Sequence, residues 1–224
     1  MTATSILTEL KKRGTDQNVK VYSRHGVGPN QYGVSFGDLK DLVKQVKRNH
    51  EAALELWQSG NHDARIFATM IADPSSATAE LLDHWVEDLD NYVVTDSFSS
   101  FVVKTELARE KGEEWRRISE EWISTAGWSI LSLLAMKRDE TPDEYYAQHL
   151  SIVAAAIRTA PNRTRYAMNN ALIAIGIRNE NLRELATAAA EGIGKVEVDH
   201  GETGCKTPDA LAYIERSWKR KLAM

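Results

Sequence analysis

The chain carries one cysteine, Cys205, among 224 residues. An internal disulfide is excluded, and so is a metal site built from several thiolates. A lone thiol fits a reducing compartment, and we expect the cytoplasm. No apolar run approaches the roughly 18 residues of a membrane-spanning helix, so no span is expected. The opening stretch MTATSILTELKKRG has no basic region followed by a long apolar core, and no secretory signal is expected. Alternating runs rich in β-branched residues are missing, which leaves little for strands. A surplus of positive charge is missing too. Lys and Arg number 28 against 32 Asp and Glu, for a net charge of −4. A surface that bound polyanions everywhere would be basic. Any nucleic-acid site must therefore be a local face that concentrates one sign of charge.

What is present is helical periodicity. At 42% hydrophobic and 27% charged residues, the composition is that of an ordinary folded chain. Apolar residues recur at spacings of three and four nearly throughout, and the five prolines fall at the edges of these runs. Helices are expected over 5–12, 39–48, 50–58, 62–71, 77–88, the stretch after 88, 113–124, 126–136, 141–159, 162–178, 181–191 and from 207 to the basic end. Gly112 reads as a break, and Thr141, Asn162 and Thr207 read as caps. The glycines of RHGVGPNQYGVSFG (24–37) fit neither GxGxxG after a strand nor GxxxxGK[ST]. That stretch reads as a turn-rich connection rather than a phosphate cradle. The fold class is all-α. About twelve helices in antiparallel pairs can stack as a curved HEAT-like α-solenoid over 1–224, one domain with a concave face. A compact irregular bundle is the competing arrangement.

Within DLDNYVVTDSFSSFVV (88–103), Val93, Val94, Phe98, Phe101 and Val102 mark a buried stripe. Tyr92 and Asp96 stand one turn apart and share a face. An aromatic plate with a carboxylate beneath it, on a rigid helix, can flank a substrate. On these residues alone, Asp90 could equally cap the helix while Tyr92 packs and Asp96 is solvated.

Four stretches, taken in order and spacing, resemble the AlkD-like DNA alkylation repair family: HEAALELWQSGNHDARIFATMI (50–71), DLDNYVVTDSF (88–98), TAGWSILSLLA (125–135) and RYAMNNALIAIG (165–176). The tail VEVDHGETGCKTPDALAYI (196–214) resembles a branch of it. The resemblance implies HEAT-like helical repeats that form a DNA-binding cradle, and a glycosylase that releases cationic alkylpurines from duplex DNA. The family's tryptophan followed four residues later by aspartate falls on Tyr92 and Asp96. Its arginine falls at Thr125 or Gly127, and its second tryptophan near Asn170. Those last two types are absent here.

In the chemistry so implied, breaking the N-glycosidic bond of an N3- or N7-alkylated purine builds positive charge on the sugar. Asp96 could stabilise that charge and hold the attacking water, while Tyr92 lies against the sugar or base. Phosphate contacts are assigned to Arg24, Lys104, Arg163 and Arg165, with Arg178 and Arg216–Lys221 as further cations. Asn169 and Asn170 could add neutral hydrogen bonds. Trp128 and Trp85 are the tryptophans placed to face the cradle, the others being core. His50, His62 and His84 read as surface or capping residues. His200 and Cys205 resemble a metal loop only weakly, and no metal or cofactor is assigned. The expected partner is duplex DNA, alkylated or otherwise distorted, held by a monomer. The alternatives are a non-catalytic HEAT-repeat binder of damaged or branched DNA and a protein-interaction scaffold.

Overall fold

The computed structural model describes residues 1–137 and 140–222. Among them are thirteen α-helices and no strand. No helix among them is long and apolar enough to cross a membrane. The chain forms two compact units: residues 1–107 with 200–204, and residues 108–199 with 205–224.

The first unit contains α1 (Ala3–Arg13), α2 (Asp16–Arg24), α3 (Phe36–Val46), α4 (His50–Gln58), α5 (His62–Ile71), α6 (Ala79–Glu87) and α7 (Tyr92–Val102). A 3-10 turn, Pro74–Ser76, precedes α6. The starts are written into the sequence. Thr2, Thr15, Ser35, Asn49, Asn61, Thr78 and Asn91 each accept a backbone N–H of the first turn they precede, which satisfies donors that a helix leaves open. Helix α5 is central and packs against α1, α3, α4 and α7. The core is aromatic. Trp57 and Trp85 stack in parallel at 4.3 Å, with Phe98 and Phe101 tilted beside them. The Trp57 Nε1–H donates to Asp88 at 2.8 Å, and the same carboxylate pairs with Arg65 at 3.1 Å. Trp85 is thus buried core and presents no ring for a cradle.

The glycine-rich connection is closed from inside. Asp63, fully buried on α5, accepts the backbone N–H groups of Tyr32, Gly33 and Val34 at 2.6, 3.1 and 2.8 Å. The amides that a phosphate loop would offer to a ligand are held here by the protein's own carboxylate. Gly33 adopts φ +73°, and a Cβ there would stand 2.6 Å from the Thr15 carbonyl oxygen. Only glycine fits that position.

The second unit contains α8 (Ala108–Trp115), α9 (Glu121–Met136), α10 (Asp143–Ala156), α11 (Asn162–Gly176), α12 (Glu180–Ile193) and α13 (Ala210–Leu222). Helix α9 packs on α11 and α11 on α13, while α8 packs on α9 and α10 on α12. The expected break at Gly112 lies inside α8. A Cβ there would meet Ile130 Cγ2 at 3.1 Å, so this glycine serves a close helix approach rather than an end. The breaks fall instead at 103–107, where α7 ends, and at 116–120, inside the helix expected over 113–124; Glu120 then caps α9 by accepting Ile123 N–H at 2.7 Å. The expected caps differ as well. Pro142 and Pro161 occupy the N-cap positions of α10 and α11 without side-chain cap bonds. Asp209, not Thr207, accepts the Ala212 N–H at the start of α13.

Candidate nucleic-acid interface

Helix α7 starts at Tyr92 because the Asn91 side chain accepts the N–H groups of Val93 and Val94 at 3.0 and 3.2 Å. The cap is Asn91 rather than Asp90. Val94, Phe98, Phe101 and Val102 turn into the core. Helical phase then places Tyr92, Val93, Asp96, Ser97 and Ser100 on the other side, where they line an open groove of about 560 Å³. Phe36 and Lys40 of α3, Met70 of α5 and Lys104 complete its walls. Asp96 and both lysines are exposed. The groove thus offers one carboxylate flanked by two cations, with an aromatic ring at Tyr92 and a second at Phe36, which is 41% exposed.

The Tyr92 ring is positioned by a residue that sequence reasoning missed. Its hydroxyl shares a hydrogen bond with His25 Nδ1, and the two rings meet edge to face at 5.8 Å. His25 terminates α2 directly after Arg24. Arg24 is exposed beside it and is not among the groove's lining residues. His62 differs from its surface reading, being buried with its ring against Tyr22 at 6.0 Å.

In the second unit the residues expected to meet DNA have other surroundings. Trp128 is 2% exposed. Its ring stands edge-on to His149 at 6.2 Å and beneath Arg116 at 5.8 Å. It is core, and its assignment as a nucleic-acid contact is corrected: the indole faces the Arg116 and His149 side chains and not solvent. Thr125 is buried and donates to the Glu121 carbonyl at 2.7 Å. A Cβ on Gly127 would stand 2.3 Å from the Arg116 backbone nitrogen. Neither position has room for the arginine of the resembled pattern. Asn169 is buried and donates to the Pro208 carbonyl at 3.0 Å. Asn170 is half-buried, and its own carbonyl accepts from Ser132 at 3.4 Å.

Arg163 lies over the Tyr166 ring at 4.8 Å, and its backbone N–H is held by Glu121 at 2.6 Å. Arg165 donates to the carbonyls of Glu197 and Ala160, both at 3.0 Å. Arg178 closes the end of α9 on the carbonyls of Ala135 and Lys137 and covers the Tyr146 ring at 4.7 Å.

Beneath α9 lies a half-buried ionic cluster. Glu113 accepts from Arg116 at 2.6 Å, from Arg117 at 3.1 Å and faces His149 Nε2 at 2.6 Å. His149 Nδ1 faces the Tyr145 carbonyl at 2.6 Å. Burial pushes the Glu113 carboxyl up, but Arg116, His149 and Tyr145 together hold it below the usual range. Burial lowers His149 despite the Tyr145 carbonyl and Glu113, which favour its charged form.

This helix-on-helix architecture defines a HEAT-like repeat protein. It superposes with a TM-score of 0.91 on a solved structure described as representing a new family of proteins related to the HEAT-like repeat DNA glycosylases with affinity for branched DNA structures. The two chains are 28% identical, and the match covers 99% of this chain and 95% of that one. The family model described as DNA alkylation repair enzyme matches residues 6–214, and the chain belongs to that family. Two uncharacterised proteins, of Listeria innocua serovar 6a and Listeria monocytogenes serovar 1/2a, are each 30% identical over 229 residues, covering 95% of this chain and 96% of theirs.

Proposed function

We propose that this member of the DNA alkylation repair family binds distorted duplex DNA along the α7 groove and acts chiefly by holding it. The observation that carries this reading is the closure of α9. Gly127 abuts the Arg116 backbone and Thr125 is buried, so the cation of the resembled glycosylase pattern has no seat. The groove itself suits a backbone contact, with Lys40 and Lys104 able to meet phosphates and Tyr92 and Phe36 able to lie against a sugar or an unstacked base. The affinity for branched DNA in the description of the structural relative supports the same reading.

A second reading, hydrolysis of the N-glycosidic bond of N3- or N7-alkylated purines, is favoured by one observation. Asp96 is exposed in the groove one turn from Tyr92, where a carboxylate could stabilise an oxocarbenium-like sugar. One experiment separates the two. Wild type and Asp96→Asn are compared for binding to four-way-junction and linear duplex DNA, and for release of 7-methylguanine from methylated duplex. The binder reading expects preferential junction binding with little release, and Asp96→Asn binding DNA at least as well because a repelling charge is gone. Rapid release by wild type that Asp96→Asn abolishes would replace it with the glycosylase.

A further inference from the structure

A second concentration of positive charge lies in the second unit, on residues other than those of the α7 groove. A cavity of about 300 Å³ is lined by Ile157, Arg158, Arg165, Ile193, Lys195, Val196 and Glu197. Three cations face one carboxylate there. We propose that Arg158, Arg165 and Lys195 form a binding site for a phosphate group.

Both arginines are set in place by backbone carbonyls. Arg158, in the turn after α10, donates to the carbonyls of Gly192 and Ile193 at 3.0 and 3.1 Å. Arg165, in the first turn of α11, donates to Glu197 and Ala160 carbonyls at 3.0 Å each. Neither guanidinium is paired with a carboxylate among the described residues, so both charges stand uncompensated while their planes are held. A guanidinium has five N–H donors, and those beyond the carbonyl contacts suit an oxyanion in a fixed fork. The contact from Arg158 also covers the carbonyl end of α12, whose partial negative charge would otherwise repel an anion. The single acid, Glu197, pairs with Lys195 at 2.9 Å, with the two side chains 77% and 80% exposed. Such a pair is weak and opens readily for a competing anion.

The site stands on these groups alone. Only the identity of the phosphate's carrier, a DNA backbone or free phosphate, depends on the DNA reading above. The test uses the full chain, with inorganic phosphate titrated against chloride at constant ionic strength and followed by thermal shift and calorimetry. Wild type should show saturable stabilisation. Lys195→Gln, at an exposed position that leaves the fold unchanged, should weaken phosphate binding roughly tenfold, as expected for one lost charge-assisted hydrogen bond. Arg158→Gln with Lys195→Gln should abolish it. No saturable effect in wild type, or equal binding by wild type and Lys195→Gln, overturns the proposal. A DNA arm identifies the carrier. If the site holds a DNA phosphate, Lys195→Gln lowers the slope of log affinity against log salt by about one. An unchanged slope with phosphate binding intact assigns the site to free phosphate. A wild type that binds phosphate and no DNA sinks the DNA reading and leaves this site standing.

Discussion

Helices α7 and α9 both fall where the resembled pattern places site residues, and the protein has treated them in opposite ways. Helix α7 is buried along one side only. Val94, Phe98, Phe101 and Val102 pack inward, and Tyr92, Asp96 and Ser100 stay on a groove. Helix α9 is buried at Ser124 through Trp128 without interruption and again at Ile130, Leu131, Leu134 and Ala135. Its Gly127 lets the Arg116 backbone approach, and its Trp128 fills the space above His149. Packing has replaced solvent access on α9, whereas α7 keeps a polar face with nothing from its own unit sealing it. A family pattern can therefore persist in part, because each helix answers to its own neighbours.

The largest expected effect comes from forcing the two helices to be alike. Gly127→Arg restores the residue type of the resembled pattern, yet its Cβ must occupy space 2.3 Å from a backbone nitrogen. We expect a loss of more than about 4 kcal/mol, enough to leave little folded protein in urea titrations. Ser100→Arg makes the same addition on the exposed side of α7, and should change stability by no more than about 0.5 kcal/mol. Equal costs at the two positions would erase the contrast.

A middle-sized effect tests the ionic cluster under α9. Glu113 is held below the ordinary value of 4.5. A depressed carboxyl adds stability above its unfolded value and loses it as pH falls through its folded value. His149 is held below 6.5, so the unfolded chain binds more protons near that pH and stability again falls with acid. Glu113→Gln should cost about 1.5–3 kcal/mol at pH 7, the worth of hydrogen bonds to a charged group. The gap to wild type should close as pH drops below 4.5. A gap constant from neutral to acid pH would show that the carboxylate charge contributes nothing.

How far these regions were legible from sequence follows from what each signal measures. Periodicity finds helices with a buried stripe, and so it located α4 and α5 to the residue. It missed α2, which has no fully buried residue and is announced only by the Thr15 cap on Asn18. It ended the α7 run at Gly112, whereas the chain breaks at 103–107 and again at 116–120, since a glycine's service to helix packing looks the same in sequence as a stop. Tyr92 and Asp96 were readable because they share one helix face. His25 was not, since it reaches Tyr92 across 67 positions of chain. Trp128 shows the limit of composition. An apolar ring in an apolar helix can be core or platform, and only the His149 and Arg116 side chains around it decide.

The smallest effect on stability should be the most telling for function. Lys40 and Lys104 are exposed on the groove walls, and neither forms a salt bridge with an acid among the described residues. Replacing each with glutamine should leave unfolding within about 0.5 kcal/mol of wild type. If DNA lies in the groove, each lysine that meets a phosphate releases about one counterion on binding. The slope of log affinity against log salt should then shrink by about one per substitution and by about two in the double variant. A junction and a linear duplex should show the same decrement, because phosphate contacts position DNA without reading its sequence. Unchanged slopes in the double variant would move DNA off α7. The exposed face of that helix would then be only the solvated side of a packed element, and the contrast with α9 would concern burial alone.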